Sequence, residues 1–254
     1  MNSKYAVSRR GFVGGLAATL GYLGTQPDTL FGQGAIRPAG SPRARQQSVD
    51  QYDSFAKLAN NENPYGPSES VLKAMTRAFK YANRYGYPDG GIVSAIAKHH
   101  GVESENVMLG AGSGEILDVV GSTFLEGGRK VIGVEPSYGS VYSHATSIKA
   151  DAIKLPLLED YNQSIPAILR AARRNYRQVG FIYLCNPNNP TGRIVTKQEV
   201  AQLLDGIPED LPVLIDEAYH DYVEDPAYAT SVPYVLEGRR VIIARTFSKI
   251  HGMA

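Results

Sequence analysis

"VGFIYLCNPNNPTG", residues 179–192, places seven uncharged, mostly apolar residues directly before a run of amides, prolines and a glycine. An apolar run that does not alternate with polar residues is a strand buried on both faces, as inside a parallel sheet covered by helices above and below. The second half cannot extend that strand, because proline lacks a ladder donor and Asn and Gly favour turns. The chain therefore leaves the sheet at Asn186, and Asn188 and Asn189 are held between Pro187 and Pro190 at a strand's carboxyl end.

Working outward, the same pattern recurs. "NVMLG" (106–110), "KVIGVE" (130–135), "AIKLPL" (152–157), "PVLIDEAY" (212–219) and "RVIIART" (240–246) all read as short strands. Helix-like stretches separate them at 114–125, 139–148, 164–174 and 196–204, and Thr196 with Glu199 three residues on forms a capping-box signature. Strands alternating with helices predict an α/β fold of three layers, α/β/α, around a mostly parallel sheet. No internal repeat is evident.

Composition narrows the function. The 254 residues carry 26 basic and 25 acidic side chains, so no charge excess marks a nucleic-acid surface, and a small-molecule partner is expected. The single cysteine, Cys185, excludes an intramolecular disulfide framework and any multi-cysteine metal site, and no metal is expected. The first residues differ in kind. Arg9-Arg10-Gly11-Phe12 precedes a weakly apolar Gly/Ala-rich run to Gly24, too short to span a bilayer as a stable helix. Residues 1–35 thus read as a twin-arginine export signal without a stable membrane anchor, and the alternative is a cytoplasmic protein with a basic N-terminus. Residues 36–52, rich in Pro, Arg and Gln, read as a linker, and 53–254 as the folded domain.

A parallel sheet collects ligand groups beyond the carboxyl ends of its strands. Here those ends deliver the amide of Asn189, the carboxylate of Asp216 with the phenol of Tyr219, and the hydroxyl-flanked amine Thr246-Phe247-Ser248-Lys249. "GAGSGE" (110–115) adds a small-residue turn at a helix start, where backbone N–H groups and the helix dipole can hold a phosphate. Singly, each has a plain structural reading: a turn, a helix cap, a solvated lysine. Their conjunction at one rim is what calls for chemistry.

These motifs, with "NENPYGPS" (61–68), "YPDGG" (87–91), "EPSYGSVY" (135–142), "DEAY" and "RTFSK", resemble those of the fold-type I pyridoxal-phosphate enzymes, the class I/II aminotransferases, and most closely the histidinol-phosphate aminotransferase branch. The likeness runs from Leu58 to Ala254. It implies the large domain of the aspartate aminotransferase-like fold, pyridoxal 5′-phosphate as cofactor, and a homodimer that moves an amino group from an amino acid or amino phosphate to a 2-oxo acid. It makes Lys249 the lysine that bonds the cofactor through a Schiff base, which needs a free amine. Asp216 would pair with the pyridinium nitrogen and Asn189 and Tyr219 with the 3′ oxygen, while Tyr138 would stack on the ring. Gly112, Ser113, Thr246 and Ser248 would hold the phosphate, and Tyr87 would reach the phosphate of the neighbouring subunit.

The resemblance also implies what should follow Ala254: a Gly-Leu-Arg segment, a further strand lying inside the sheet, and a small C-terminal domain with the arginine that clamps the substrate carboxylate. From this the chain is expected to be an incomplete domain that folds poorly alone, since unpaired buried backbone groups cost about 1–3 kcal/mol each against a total stability of roughly 5–15 kcal/mol. Two other functions stay open at this point: a threonine-phosphate-type decarboxylase using the same cofactor residues, and a non-catalytic remnant.

Overall fold

The computed structural model describes residues 54–85 and 90–254, nearly all within one compact unit, Lys57–Ala254. The expected export signal (1–35) and linker (36–52), and Tyr87, lie outside the described residues.

Five parallel strands form the sheet: β1 (Lys130–Glu135), β2 (Asp151–Pro156), β3 (Val179–Cys185), β4 (Val213–Asp216) and β5 (Val241–Ala244), in the order β2-β1-β3-β4-β5. Every residue of β3 and of β4 is buried, as their unbroken apolar character demands, whereas β2 at one edge is only partly covered. Period-two alternation sends Ile132, Ile182, Leu184, Val213 and Ile215 to one face and Val131, Phe181, Tyr183, Cys185 and Leu214 to the other. The first set packs on α5 (Ile165–Asn175) and α6 (Lys197–Gly206), the second on α3 (Ser113–Phe124) and α4 (Ser140–Ser147). Two cores on opposite faces of one sheet make the expected three-layer α/β/α architecture.

Local signals set the helix starts. Thr196 Oγ1 accepts from Glu199 N at 3.3 Å and Glu199 Oε2 accepts from Thr196 N at 2.9 Å, which is the capping box read from the sequence. Ser164 Oγ accepts from Ala167 N ahead of α5, with Pro166 in the first turn, where its missing N–H costs nothing. Two further helices, α1 (Glu69–Ala78) and α2 (Ile92–His100), precede the sheet, and α7 (Val232–Leu236) precedes β5.

One expected strand is absent. Val107 is extended, but residues 107–110 enter no strand ladder among the described residues, and Met108 and Leu109 are 62% and 46% exposed. A strand exists through its ladder bonds, and among the described residues the edge strand β5 has only β4 as neighbour. The apolar character of 106–110 therefore marks a segment without a ladder partner here.

The α3–α4 contact gives a stability prediction. His144 on α4 bonds Asp118 Oδ1 through Nδ1 (3.2 Å) and Ser122 Oγ through Nε2 (2.9 Å), which pins its ring over Gly121. A Cβ at Gly121 would come within 2.6 Å of His144 Cδ2. Glycine to alanine inside a helix usually stabilises by about 0.5–1 kcal/mol; here overpacking against a ring held at both nitrogens reverses the sign. Gly121→Ala is expected to lower stability by about 1–3 kcal/mol in denaturant melts, and a stabilised variant would refute the close fit.

Candidate active site

The 186–195 loop is built mostly for rigidity. Asn186, fully buried, donates Nδ2 to Val195 O (2.9 Å) and accepts from Val195 N (2.8 Å), closing the loop at its base. Asn188 donates to Pro136 O and Thr191 Oγ1 and accepts from Ser137 Oγ, tying the loop to the end of β1. With both amides committed to backbone and neighbours, Asn189 is left facing Tyr219, its Nδ2 3.4 Å from the phenol oxygen.

β4 ends in two carboxylates with different partners. Asp216, 3% exposed, accepts from Tyr183 Oη at Oδ2 (3.0 Å) and from Ala218 N at Oδ1 (3.1 Å). Burial pushes its pKa above the ordinary carboxylate range, and these two hydrogen bonds and the more distant Lys249 only partly oppose it. No cation contacts it among the described residues. Glu217, by contrast, is locked: Oε2 accepts from Arg245 Nη2 (2.7 Å) and Thr230 Oγ1 (2.9 Å), and Oε1 from Ser231 N (2.7 Å).

A raised native pKa gives Asp216 a defined effect on stability. The unfolded chain releases this proton at the ordinary carboxylate pKa and the native chain only at higher pH, so stability falls as pH rises through that window. Asparagine cannot ionise and removes the slope. The ligand-free Asp216→Asn variant should therefore melt above the parent at neutral pH, with the difference shrinking as pH falls. A parent curve no steeper than the variant's would sink this reading.

Beyond β5, Thr246 and Ser248 form a hydroxyl pair (Oγ1 to Oγ 2.8 Å), and Ser248 N donates to Thr246 Oγ1. Lys249 Nζ lies 5.8 Å from the centroid of the Tyr219 ring and donates to Asn60 O at 2.8 Å. Residues 60–66 thus cross over the lysine segment: Asn61 Nδ2 donates to Tyr219 Oη (2.9 Å) and Asn63 Nδ2 to Ile250 O (2.8 Å). Gly252 is at φ +67°, and a Cβ there would lie 2.3 Å from the Gly66 backbone, so only glycine admits this crossing.

The structure thus joins Lys249, Tyr219 and Asn189 through one phenol and places Asp216 at the adjacent strand end. Gly112 (φ +82°) is the N-cap of α3, which packs against β5. Its own N–H donates to Gly110 O (2.8 Å), so the backbone donor expected at Gly112 is already engaged and Ser113 begins the helix. The Ala111 donor is engaged as well, by the Glu115 carboxylate of the first turn of α3. Tyr138, 41% exposed, lies in the turn between β1 and α4. An open cleft of about 890 Å³ adjoins Asn61, Asn189 and Tyr219.

Sequence reasoning assigned no role to Tyr183, Asn60, Asn61 or the Glu217–Arg245 pair. Tyr183 was signalled as the one hydroxyl inside an otherwise apolar strand, since a buried phenol needs a partner. The others depend on contacts across 28 to 189 residues, which no local pattern carries.

Comparison with known proteins gives the class. Residues 53–254 match the family "Aminotransferase class I and II", and the chain belongs to that family. It is 38% identical over 202 residues to a histidinol-phosphate aminotransferase of Maricaulis maris, covering 78% of this chain and 54% of that protein. The chain spans about half the length of the curated relatives it matches. Its fold matches a histidinol-phosphate aminotransferase from Sinorhizobium meliloti solved with pyridoxal-5′-phosphate, at TM-score 0.67 and 24% identity, covering 84% of this chain and 62% of that one. It also matches an L-threonine-O-3-phosphate decarboxylase from Porphyromonas gingivalis, at TM-score 0.59 and 21% identity over 74% of this chain and 56% of that one.

Proposed function

We propose that this chain carries the cofactor-binding and proton-handling residues of a pyridoxal-phosphate transaminase that takes an amino acid or an amino phosphate of the histidinol-phosphate kind as donor and a 2-oxo acid as acceptor. The observation that supports it most directly is the amine of Lys249 over the Tyr219 ring, one strand away from a buried carboxylate that no cation contacts among the described residues.

The residues fit the cofactor. Asp216 is the test: a carboxylate removed from water, held by one phenol and one amide, is stabilised by a protonated ring nitrogen more than by anything now beside it. Thr246 and Ser248 offer hydroxyl donors for a phosphate, with the α3 N-terminus at Ser113. When bound, pyridoxal phosphate supplies an electron-withdrawing ring that takes up the electron pair left at the substrate's α-carbon. Asp216 would keep the ring nitrogen protonated. Tyr219 and Asn189 would fix a ring oxygen by hydrogen bonds. Lys249 Nζ, as the free amine, would take the proton from the substrate α-carbon and deliver it to the cofactor's C4′ carbon, which is what separates amino transfer from simple exchange.

The test mixes the cofactor-loaded protein with candidate donors, histidinol phosphate among them, and follows cofactor absorbance and the released product. Stoichiometric oxo product and an aminated cofactor support transamination. Carbon dioxide with the cofactor unchanged would instead establish a decarboxylase.

A further inference from the structure

At the opposite end of the sheet, a second cavity of about 310 Å³ is lined by Arg129, Arg177 and Arg240 together with Tyr176, Asp210 and Phe124. The topology makes this convergence. Because all five strands are parallel, residues entering β1 (Arg129), β3 (Arg177) and β5 (Arg240) share the amino-end rim. The Lys249 site is at the carboxyl ends, about 20 Å away along the seven residues of β3.

The charge of this cavity is unbalanced. None of the three guanidinium groups has a hydrogen-bond or ion-pair partner among the described residues, although Arg239, next in sequence to Arg240, pairs with Asp205. The one carboxylate in the lining, Asp210, accepts from the neutral Tyr176 phenol, whose Oη lies 2.6 Å from each of its oxygens, and it leaves the three guanidinium groups in excess. The three arginines are solvent-exposed, so their mutual repulsion is modest and greatest at low ionic strength, where an anion placed among them relieves it. A monovalent carboxylate offers two oxygens, too few for three forked donors, whereas phosphates present several acceptors to planar guanidinium groups. The volume lies at the lower end for small-molecule sites, which sets the size of the occupant.

We propose that Arg129, Arg177 and Arg240 form a binding site for a small multivalent phosphate, of the phosphoanhydride or phosphate-ester kind, separate from the site at Lys249. Occupancy ties together the chain segments that enter β1, β3 and β5.

Titrating sodium pyrophosphate at low ionic strength into the 254-residue chain, its folded state first established by a cooperative thermal melt, and reading the heat by calorimetry tests this. One site per chain is expected, weakening as salt is added. Arg177→Ala and Arg240→Ala should each raise Kd roughly tenfold, and the double variant should give no measurable heat. Asp210→Asn, which removes the one negative charge in the lining, should tighten binding. The phosphate donors near Lys249 provide the contrast, because Ser113→Ala with Ser248→Ala should leave this pyrophosphate site unchanged. Loss of the heat in the serine pair with retention in the arginine pair would put the anion at the other rim and overturn the proposal, as would no binding at millimolar pyrophosphate. Neither result bears on whether Lys249 bonds pyridoxal phosphate.

Discussion

Lys249→Ala is expected to abolish amino transfer while leaving the fold nearly as stable as before. The lysine has two duties in the proposed reaction, attaching the cofactor and carrying the substrate's proton, and alanine can do neither. Loss of a positioned acid–base group alone accounts for a rate decrease of about 10²- to 10⁴-fold. Reducing the cofactor-loaded parent with borohydride should leave cofactor mass on the peptide spanning Lys249, and the variant should carry none. Lys249→Arg keeps the charge but loses the nucleophile, so it should be as inactive as alanine. Stability should change little, because among the described residues Lys249 makes one hydrogen bond, to Asn60 O, worth about 0.5–1.5 kcal/mol. Label recovered on another lysine, or a variant within tenfold of the parent rate, would remove Lys249 from the centre of the site.

Legibility in the sequence followed the range of the interactions. β3 and β4 were readable because burial on both faces leaves an unbroken apolar run, and α6 because a capping box is complete within four residues. The motif residues Asp216, Tyr219, Asn189 and Lys249 were readable because each lies at or just beyond the carboxyl end of a strand of a parallel sheet, so topology carries them to one rim. The segment 106–110 has the composition of a strand, but composition cannot supply the neighbour that makes one. α1 went unnamed for a related reason: it has no buried residue, so it is unattached to the sheet layers whose alternation organised the reading. The crossing of Asn60, Asn61 and Asn63 over the lysine segment depends on pairs 158 to 189 residues apart, which only the folded chain brings together.

Glu217 and Arg245 show what keeps the two reactive strand ends in register. Glu217 follows Asp216 and Arg245 precedes Thr246, so their ion pair links the carboxylate end of β4 to the lysine end of β5, beside a backbone bond from Glu217 N to Ala244 O (2.9 Å). The Glu217 side chain is completely buried and that of Arg245 is 21% exposed, which makes the two halves of the pair unequal. Arg245→Ala leaves a carboxylate out of water with only Ser231 N and Thr230 Oγ1 as donors. Breaking a buried pair in this way costs about 3–5 kcal/mol. For a domain of this size a melting temperature falls roughly 2–4 °C per kcal/mol, so a drop of about 6–20 °C is expected in calorimetry without cofactor. Glu217→Gln added to Arg245→Ala removes the stranded charge and should restore much of the loss. A double variant no more stable than Arg245→Ala would mean that lost packing, rather than the uncompensated carboxylate, sets the cost. Lys249→Ala should show none of this destabilisation, so the two variants separate the residue that performs the chemistry from the pair that holds its strand in place.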